Sequence, residues 1–316
     1  METSDFKSAI EKDLRERGRR RTIAVVAGLS MAGLLAGGIA LTQFTGTEPM
    51  AEVPVEVVPV DYYQGVALTA QAAIVYDLAK GEVLYQKNAD AQLPLASLTK
   101  LLTVYAGAGA LARDATVPIT FNALAEEGDS GFAYGDTFTF EDLARLTLVS
   151  SSNDGASAIA EAAGQAYASS DSSLLASAAQ SAGLSQTYAV NGTGLDESGS
   201  VSGGYGSAHD VAILSGALLS AAPDLAQATT ESFISITSRE GKTFTEKNTN
   251  QEIPAFPGAL LSKTGFTDLA GGNLTVVYDA GINHPIAIVV LGSTREGRFT
   301  DVERLLSHTL NRFAAL

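Results

Sequence analysis

The chain has 316 residues and a formal net charge of −15, with 46% hydrophobic and 17% charged residues. That composition supplies a sizeable core and excludes a disordered chain. The charge has the wrong sign for wrapping a phosphate backbone and Trp is absent, so no nucleic-acid partner is expected; the lack of Cys excludes disulfides, thiolate nucleophiles and Cys-based metal sites.

Residues 1–21 are polar and charged and end in Arg19-Arg20-Arg21, whereas no charged residue occurs from Thr22 to Thr47. A helix of about 20 apolar residues spans a bilayer core of about 30 Å, so 22–44 is expected to be a transmembrane anchor or signal segment. Its length favours a retained anchor over a cleaved signal. The arginines on its N-terminal side place 1–21 in the cytoplasm and the remainder outside. Pro49, Pro54 and Pro59 make 45–63 an extended linker.

A folded domain is expected over 64–316. AAIVYDLAKGEVLYQKN reads as two strands joined by a turn around Ala79-Lys80-Gly81, and after Pro94 the pattern becomes helical. Further helices are predicted at 141–150, 153–167, 172–182 and 208–222. Strands return at 232–238, 259–265, 272–279 and 285–293, and a helix from Thr300 to Phe313 closes the chain. Strands at both ends of a helical middle imply an α+β domain whose sheet joins the two ends.

The chemistry has few candidates. His209, His284 and His308 are far apart in sequence, without an H-E-x-x-H, and are expected to be ordinary surface or helix residues. No G-x-S-x-G elbow is present. Ser97-Leu98-Thr99-Lys100 is an S-x-x-K. On a helix, positions i and i+3 share a face, so the Lys100 amine can reach the Ser97 hydroxyl. Pro94 just upstream puts Ser97 in the first turn, where the helix dipole favours an alkoxide and lowers the proton affinity of the amine. Taken alone the motif is weak, because Ser4-Asp5-Phe6-Lys7 matches it too.

Two further motifs occur once each. Ser151-Ser152-Asn153 sits where one helical stretch ends and another begins; it either presents side chains to a cleft or forms an N-cap, with Asn153 as the cap. Lys263-Thr264-Gly265 follows an apolar strand. There a lysine and a threonine can meet an anion while Gly265 lets another backbone come close, unless the tripeptide is a plain turn.

S-x-x-K, S-x-N and K-T-G in this order are the signature of penicillin-binding proteins and class A β-lactamases. KNADAQLPLASLTKLLT, LVSSSNDGASAIAEAAG, NGTGLDESG, YGSAHDVAIL and LLSKTGFTDLAGGNL make the chain resemble the low-molecular-mass D-alanyl-D-alanine carboxypeptidases over residues 67–293. The resemblance implies a β-lactamase/transpeptidase-like α+β fold: a mainly antiparallel sheet from both chain ends around an all-helical middle subdomain. It makes 64–316 a serine DD-peptidase domain. The implied substrate is a peptidoglycan stem peptide ending in D-Ala-D-Ala, with β-lactams as covalent inhibitors and no cofactor or metal.

By position, the resemblance makes Ser97 the nucleophile and Lys100 its base, with Ser151 relaying a proton to the leaving amine. Asn153 holds the substrate backbone, Lys263 and Thr264 bind its terminal carboxylate, and the N–H groups of Ser97 and Phe266 hold the oxyanion. The N-terminal anchor is expected to replace the C-terminal membrane attachment common in that family. A β-lactamase would need a deacylating glutamate, and no E-x-x-L-N lies between Asn153 and Lys263. A DD-endopeptidase and a non-catalytic wall-binding or β-lactam-sensing module are the other readings.

Overall fold

The computed structural model describes residues 60–315 except 254, 255 and 257. The expected membrane segment at 22–44 and the linker up to residue 59 lie outside that range. Among the described residues, no helix is long and apolar enough to cross a membrane. The last residues of the expected linker belong to the domain instead. Tyr63 is buried and its hydroxyl lies 2.9 Å from Thr309 Oγ1, while the Tyr62 carbonyl meets His308 Nδ1. Aromatic rings bury too much surface to be left in a solvated tether when a helix lies within reach.

The chain opens with the hairpin β1 (Ala72–Asp77) and β2 (Glu82–Lys87), then β3 (Leu93–Pro94), a 3-10 turn at Ala96–Leu98 and α1 (Thr99–Ala110). β4 (Thr116–Pro118) and β5 (Thr137–Thr139) bracket a long loop, followed by α2 (Phe140–Ser150), α3 (Asn153–Ala166) and α4 (Asp171–Ser181). β6 (Tyr188–Ala189) and β7 (Gly204–Gly206) precede α5 (Ala208–Ala221) and α6 (Pro223–Ala228). The hairpin β8 (Phe233–Thr237) and β9 (Thr243–Lys247) leads to β10 (Ala259–Thr267), β11 (Gly271–Asp279), β12 (Pro285–Ser293) and α7 (Gly297–Ala314).

The two ends meet in one antiparallel sheet of order β10-β11-β12-β1-β2, with Ala72 opposite Leu291 and Asp77 opposite Ile286. Alternate residues explain the register. Ile74, Val289 and Leu291 join Val211, Leu214 and Leu218 of α5 in one core. Val75, Ile288 and Val290 face the other way, onto Val302, Leu305 and Leu306 of α7. Burial on both faces is why β1 and β12 read as unbroken apolar runs. Each such side chain is worth about 1.5–3 kcal/mol.

The helical middle is not purely helical. β4 pairs with β5, β8 with β9, and β3-β7-β6 form a small sheet. Strands of two or three residues carry too little alternation to be seen in a sequence. Elsewhere hydroxyls fix the helix starts: Thr139, Ser152, Ser170 and Ser207 each accept a first-turn N–H of the helix that follows.

Candidate active site

α1 is entered through the 3-10 turn rather than directly. Ala96 takes φ +49°, a left-handed conformation that costs a non-glycine residue about 1–3 kcal/mol. Ala96 and Leu98 are buried, while Ser97 between them is partly exposed. One hydroxyl is thereby turned out of an otherwise closed turn. Among the described residues the Ser97 N–H makes no backbone hydrogen bond, so it remains available to a ligand.

Lys100, one turn on, is fully buried. Its Nζ lies 3.0 Å from Ser97 Oγ, 2.6 Å from Asn153 Oδ1 and 2.7 Å from the Thr193 carbonyl. The three acceptors use all three donors of an ammonium, and none carries a charge. Burial therefore dominates and lowers the pKa from 10.5 to about 7, partly opposed by the Glu126 carboxylate. An amine poised there can take a proton from a hydroxyl at neutral pH.

The S-x-N turn joins α2 to α3. Ser151 ends α2 in the left-handed conformation, at φ 64° and ψ 32°. Ser152, not Asn153, is the N-cap, with its Oγ 2.9 Å from Gly155 N. That assignment corrects the cap reading and leaves the Asn153 amide free to point inward. Its Oδ1 accepts from Lys100 and its Nδ2 donates to the Glu127 carbonyl. Ser130 Oγ lies 2.6 Å from Ser152 Oγ, and Ser130 N donates to Asp154 Oδ2 at 3.2 Å. Three consecutive residues thus staple the loop of residues 119–136 over the turn.

The K-T-G lies on β10, the sheet's outer strand. Lys263 Nζ donates to Ser151 Oγ at 2.9 Å and to the Thr264 carbonyl at 2.8 Å. Ser151 is therefore hydrogen-bonded to Lys263, whereas Lys100 bonds Ser97, Asn153 and Thr193. Lys263 is fully buried, and its pKa falls well below 10.5 through burial and then through the charges of Lys100 and Arg298. Thr264 Oγ1 donates to Thr249 Oγ1 at 2.7 Å.

Gly265 permits the close approach on which the site is built. A Cβ there would sit 2.9 Å from the Leu95 carbonyl oxygen and 3.2 Å from Ser97 N. Ser262 N donates to Thr229 Oγ1 and the Thr264 carbonyl accepts from Lys263, both outside the ladder with β11. Strand parity puts the Phe266 N–H on that same free edge, facing the Ser97 turn. Arg298 Nη1 donates to the Gly265 carbonyl at 2.7 Å and fixes the strand there.

Several contributors were given no role by the three motifs, although Asn191, Thr193 and Gly194 lie in the NGTGLDESG stretch. Thr193 acts through its backbone carbonyl, which no side-chain pattern announces. Asn191 orients it, accepting from Thr193 N, Thr193 Oγ1 and Gly194 N. Gly194, at φ +76°, packs its backbone on the Ala96 carbonyl where a Cβ would collide. Arg298 and Glu126 arrive from a terminal helix and a loop and belong to none of the three motifs. The histidines stay away from the site: His284 pairs with Asp77 at 2.7 Å, His209 with Asp90 at 3.1 Å, and His308 with Tyr62.

A family model described as D-alanyl-D-alanine carboxypeptidase, peptidase family S11, matches residues 60–295. The chain is 28% identical over 253 residues to D-alanyl-D-alanine carboxypeptidase DacF of Bacillus subtilis, covering 77% of this chain and 63% of that one. It is 29% identical over 300 residues to DacC of Escherichia coli, covering 88% and 68%. Its fold is similar to the cefotaxime-bound crystal structure of penicillin-binding protein D2 from Listeria monocytogenes. That match has a TM-score of 0.64 at 27% identity, covering 77% of this chain and 97% of the other. With the family model extending over most of the chain and the same fold in solved relatives, the chain belongs to the D-alanyl-D-alanine carboxypeptidase family of serine peptidases.

Proposed function

We propose that the protein removes the terminal D-alanine from peptidoglycan stem peptides through an acyl-enzyme on Ser97. One observation carries the reading: a buried amine, Lys100, whose pKa burial lowers to about 7, lies 3.0 Å from a partly exposed hydroxyl. Lys100 takes the Ser97 proton as Oγ attacks the carbonyl of the last peptide bond. The oxyanion gathers against the N–H groups of Ser97 and Phe266. Ser151, bonded to Lys263, hands its proton to the departing D-alanine amine and is reprotonated by Lys100, whose N–H is released from Ser97 Oγ by acylation and which thereby returns to its neutral form. Water then cleaves the Ser97 ester, regenerating the hydroxyl and releasing the shortened peptide. Lys263 and Thr264 receive the substrate carboxylate, and Asn153 lines the opposite wall.

β-Lactams enter the same scheme as acylating agents, consistent with the cefotaxime-bound form of the Listeria relative. Slow release is expected, since no E-x-x-L-N glutamate lies between Asn153 and Lys263. The apolar segment at 22–44 is assigned the task of holding the domain at the outer membrane face; protease accessibility in intact cells tests that placement.

The decisive experiment is mass spectrometry of the penicillin-treated full chain. The adduct is expected on the peptide containing Ser97 and absent from Ser97→Ala, with D-alanine release from a pentapeptide lost in parallel. An adduct that survives in Ser97→Ala overturns the assignment.

A further inference from the structure

The loop between β4 and β5 carries two aromatic rings that the mechanism leaves unused. Phe121 and Tyr134 stack with their ring centres 3.8 Å apart and their planes 12° from parallel. They nevertheless stay 69% and 61% exposed. Stacking covers one face of each ring and leaves the outer faces to water, where so much aromatic surface is normally buried. The pair is not what closes the loop. Ile119 N donates to the Asp136 carbonyl at 2.8 Å and Gly135 N to the Ile119 carbonyl at 3.0 Å, which ties its neck. Thr120 Oγ1 donates to Glu161 Oε2 at 2.8 Å and fixes that neck to α3. The rings are thus held in place by bonds other than their own.

The surroundings narrow the occupant. Residues 119–136 carry Glu126, Glu127, Asp129 and Asp136 and no Lys or Arg. That charge repels anionic lipid headgroups and anionic polymers. Two aromatic side chains offer at most about 300–500 Å², short of the roughly 800 Å² that each partner of a stable protein pair contributes. What fits is small, flat and uncharged, with polarised C–H bonds to set against the electron-rich ring faces: a pyranose sugar.

Under the carboxypeptidase reading, on which this step rests, the substrate itself brings such sugars, because a stem peptide is joined to a glycan chain. The loop bearing the rings is also bound to the cleft. The Glu127 carbonyl accepts from Asn153 Nδ2, and Ser130 Oγ lies 2.6 Å from Ser152 Oγ. Glu161, which holds the neck, is eight residues from Asn153 on α3, or about 12 Å along the helix axis. The part of a pentapeptide stem that precedes the scissile bond, four residues, extends up to about 14 Å. A glycan seated on the rings keeps its stems within reach of Ser97.

We propose that Phe121 and Tyr134 form a docking platform, outside the catalytic cleft, for the glycan chain of peptidoglycan. A sugar ring stacks on an exposed aromatic face, and the platform takes no part in the chemistry at Ser97.

The test uses the full-length protein and one pentapeptide in two forms, free in solution and attached to uncross-linked glycan strands. The Phe121→Ala/Tyr134→Ala double variant is expected to raise KM on the glycan-borne form about tenfold, the loss of a stacking contact. Its kcat, and its rates on the free pentapeptide, should stay at wild-type values. Phe121→Leu/Tyr134→Leu keeps apolar bulk without a flat face and should behave as the alanine pair. Retention of Ser97→Ala protein on immobilised glycan strands stripped of peptide should likewise fall when the rings are removed. Equal KM values for wild type and alanine pair on the glycan-borne form overturn the platform. So does a parallel loss on the free pentapeptide, which makes the rings structural, and so does wild-type binding by the leucine pair. No D-alanine released from either form by the wild type, with no penicillin adduct on Ser97, overturns the carboxypeptidase reading instead, while retention on bare glycan still decides the platform.

Discussion

The two walls of the cleft each bury a lysine, and they treat it differently. On the helical wall, Lys100 has three uncharged acceptors at 2.6–3.0 Å and the Glu126 carboxylate within electrostatic reach. On the sheet wall, Lys263 has a hydroxyl and a carbonyl, and its charged neighbours Lys100 and Arg298 are both cations. The first amine is complete without a ligand and balanced between its two protonation states. The second has only cations among the charges that shift it, and holds its proton firmly only once an anion binds. Burial alone would have lowered both, so the difference in role lies in the neighbours.

Removing the balanced amine should have the largest effect. Lys100→Ala is expected to lower the acylation rate by penicillin by about 10³–10⁴-fold, the upper range for a general base, while the variant still folds. Circular dichroism checks the fold and mass spectrometry the rate. Acylation at near wild-type speed would assign the base to another group.

Lys263→Ala should cost about 10²-fold in kcat/KM on a peptide with a free terminal carboxylate, the worth of a buried charge-assisted bond. A C-terminally amidated peptide has no such charge to offer, so wild type and variant should nearly converge on it. The protonation of Lys263 adds a sign. Its pKa is depressed in the free protein and rises when a carboxylate binds, so binding takes up a proton and weakens as pH climbs. Calorimetry in two buffers of different ionisation enthalpy measures that uptake. A similar loss on both peptides would leave Lys263 with a structural role only.

Why the comparison was partly legible is a matter of which atoms act. Ser97, Lys100, Asn153, Lys263 and Gly265 belong to motifs of side chains, or the lack of one, at fixed spacing, and the structure gathers them at one cleft. β1 and β12 were readable because both faces are buried. The Thr193 carbonyl, the 3-10 entry to α1 and the two-residue strands β3 and β6 depend on backbone geometry set by distant packing. The Asn153 cap was misplaced by one residue because Ser152 and Asn153 are both good caps, and contact with Lys100 decides between them. Glu126 is brought near Lys100 by a loop that carries no periodic signal.

A smaller effect tests how closely the walls must meet. Gly265→Ala places a methyl 2.9 Å from the Leu95 carbonyl oxygen and 3.2 Å from Ser97 N, so β10 or the serine turn must yield by tenths of an ångström. Since a misplacement of about 1 Å can cost 10²-fold, a loss of about tenfold in acylation is expected, with about 1–3 kcal/mol of stability. Denaturant unfolding and acylation kinetics separate the two. Unchanged acylation with lowered stability would show that the oxyanion donors tolerate a wider gap.

The finest adjustment of the helical wall is Glu126. Its carboxylate favours the protonated form of Lys100, opposing burial, and lies on the loop that Asn153, Ser152 and Asp154 hold in place. Lys100 must be neutral to accept the Ser97 proton, so acylation should rise with pH through a midpoint near 7. Glu126→Gln removes the opposing charge and lets burial act further. The amine then loses its proton more readily, and the acid limb of kcat/KM moves to lower pH. For a partly solvated carboxylate the shift should be about half a pH unit, well below the 1.36 kcal/mol that a full unit represents. An unmoved midpoint would mean that burial and the three neutral acceptors set the base unaided. An upward shift would reverse the sign of the interaction and place the titrating group elsewhere than Lys100.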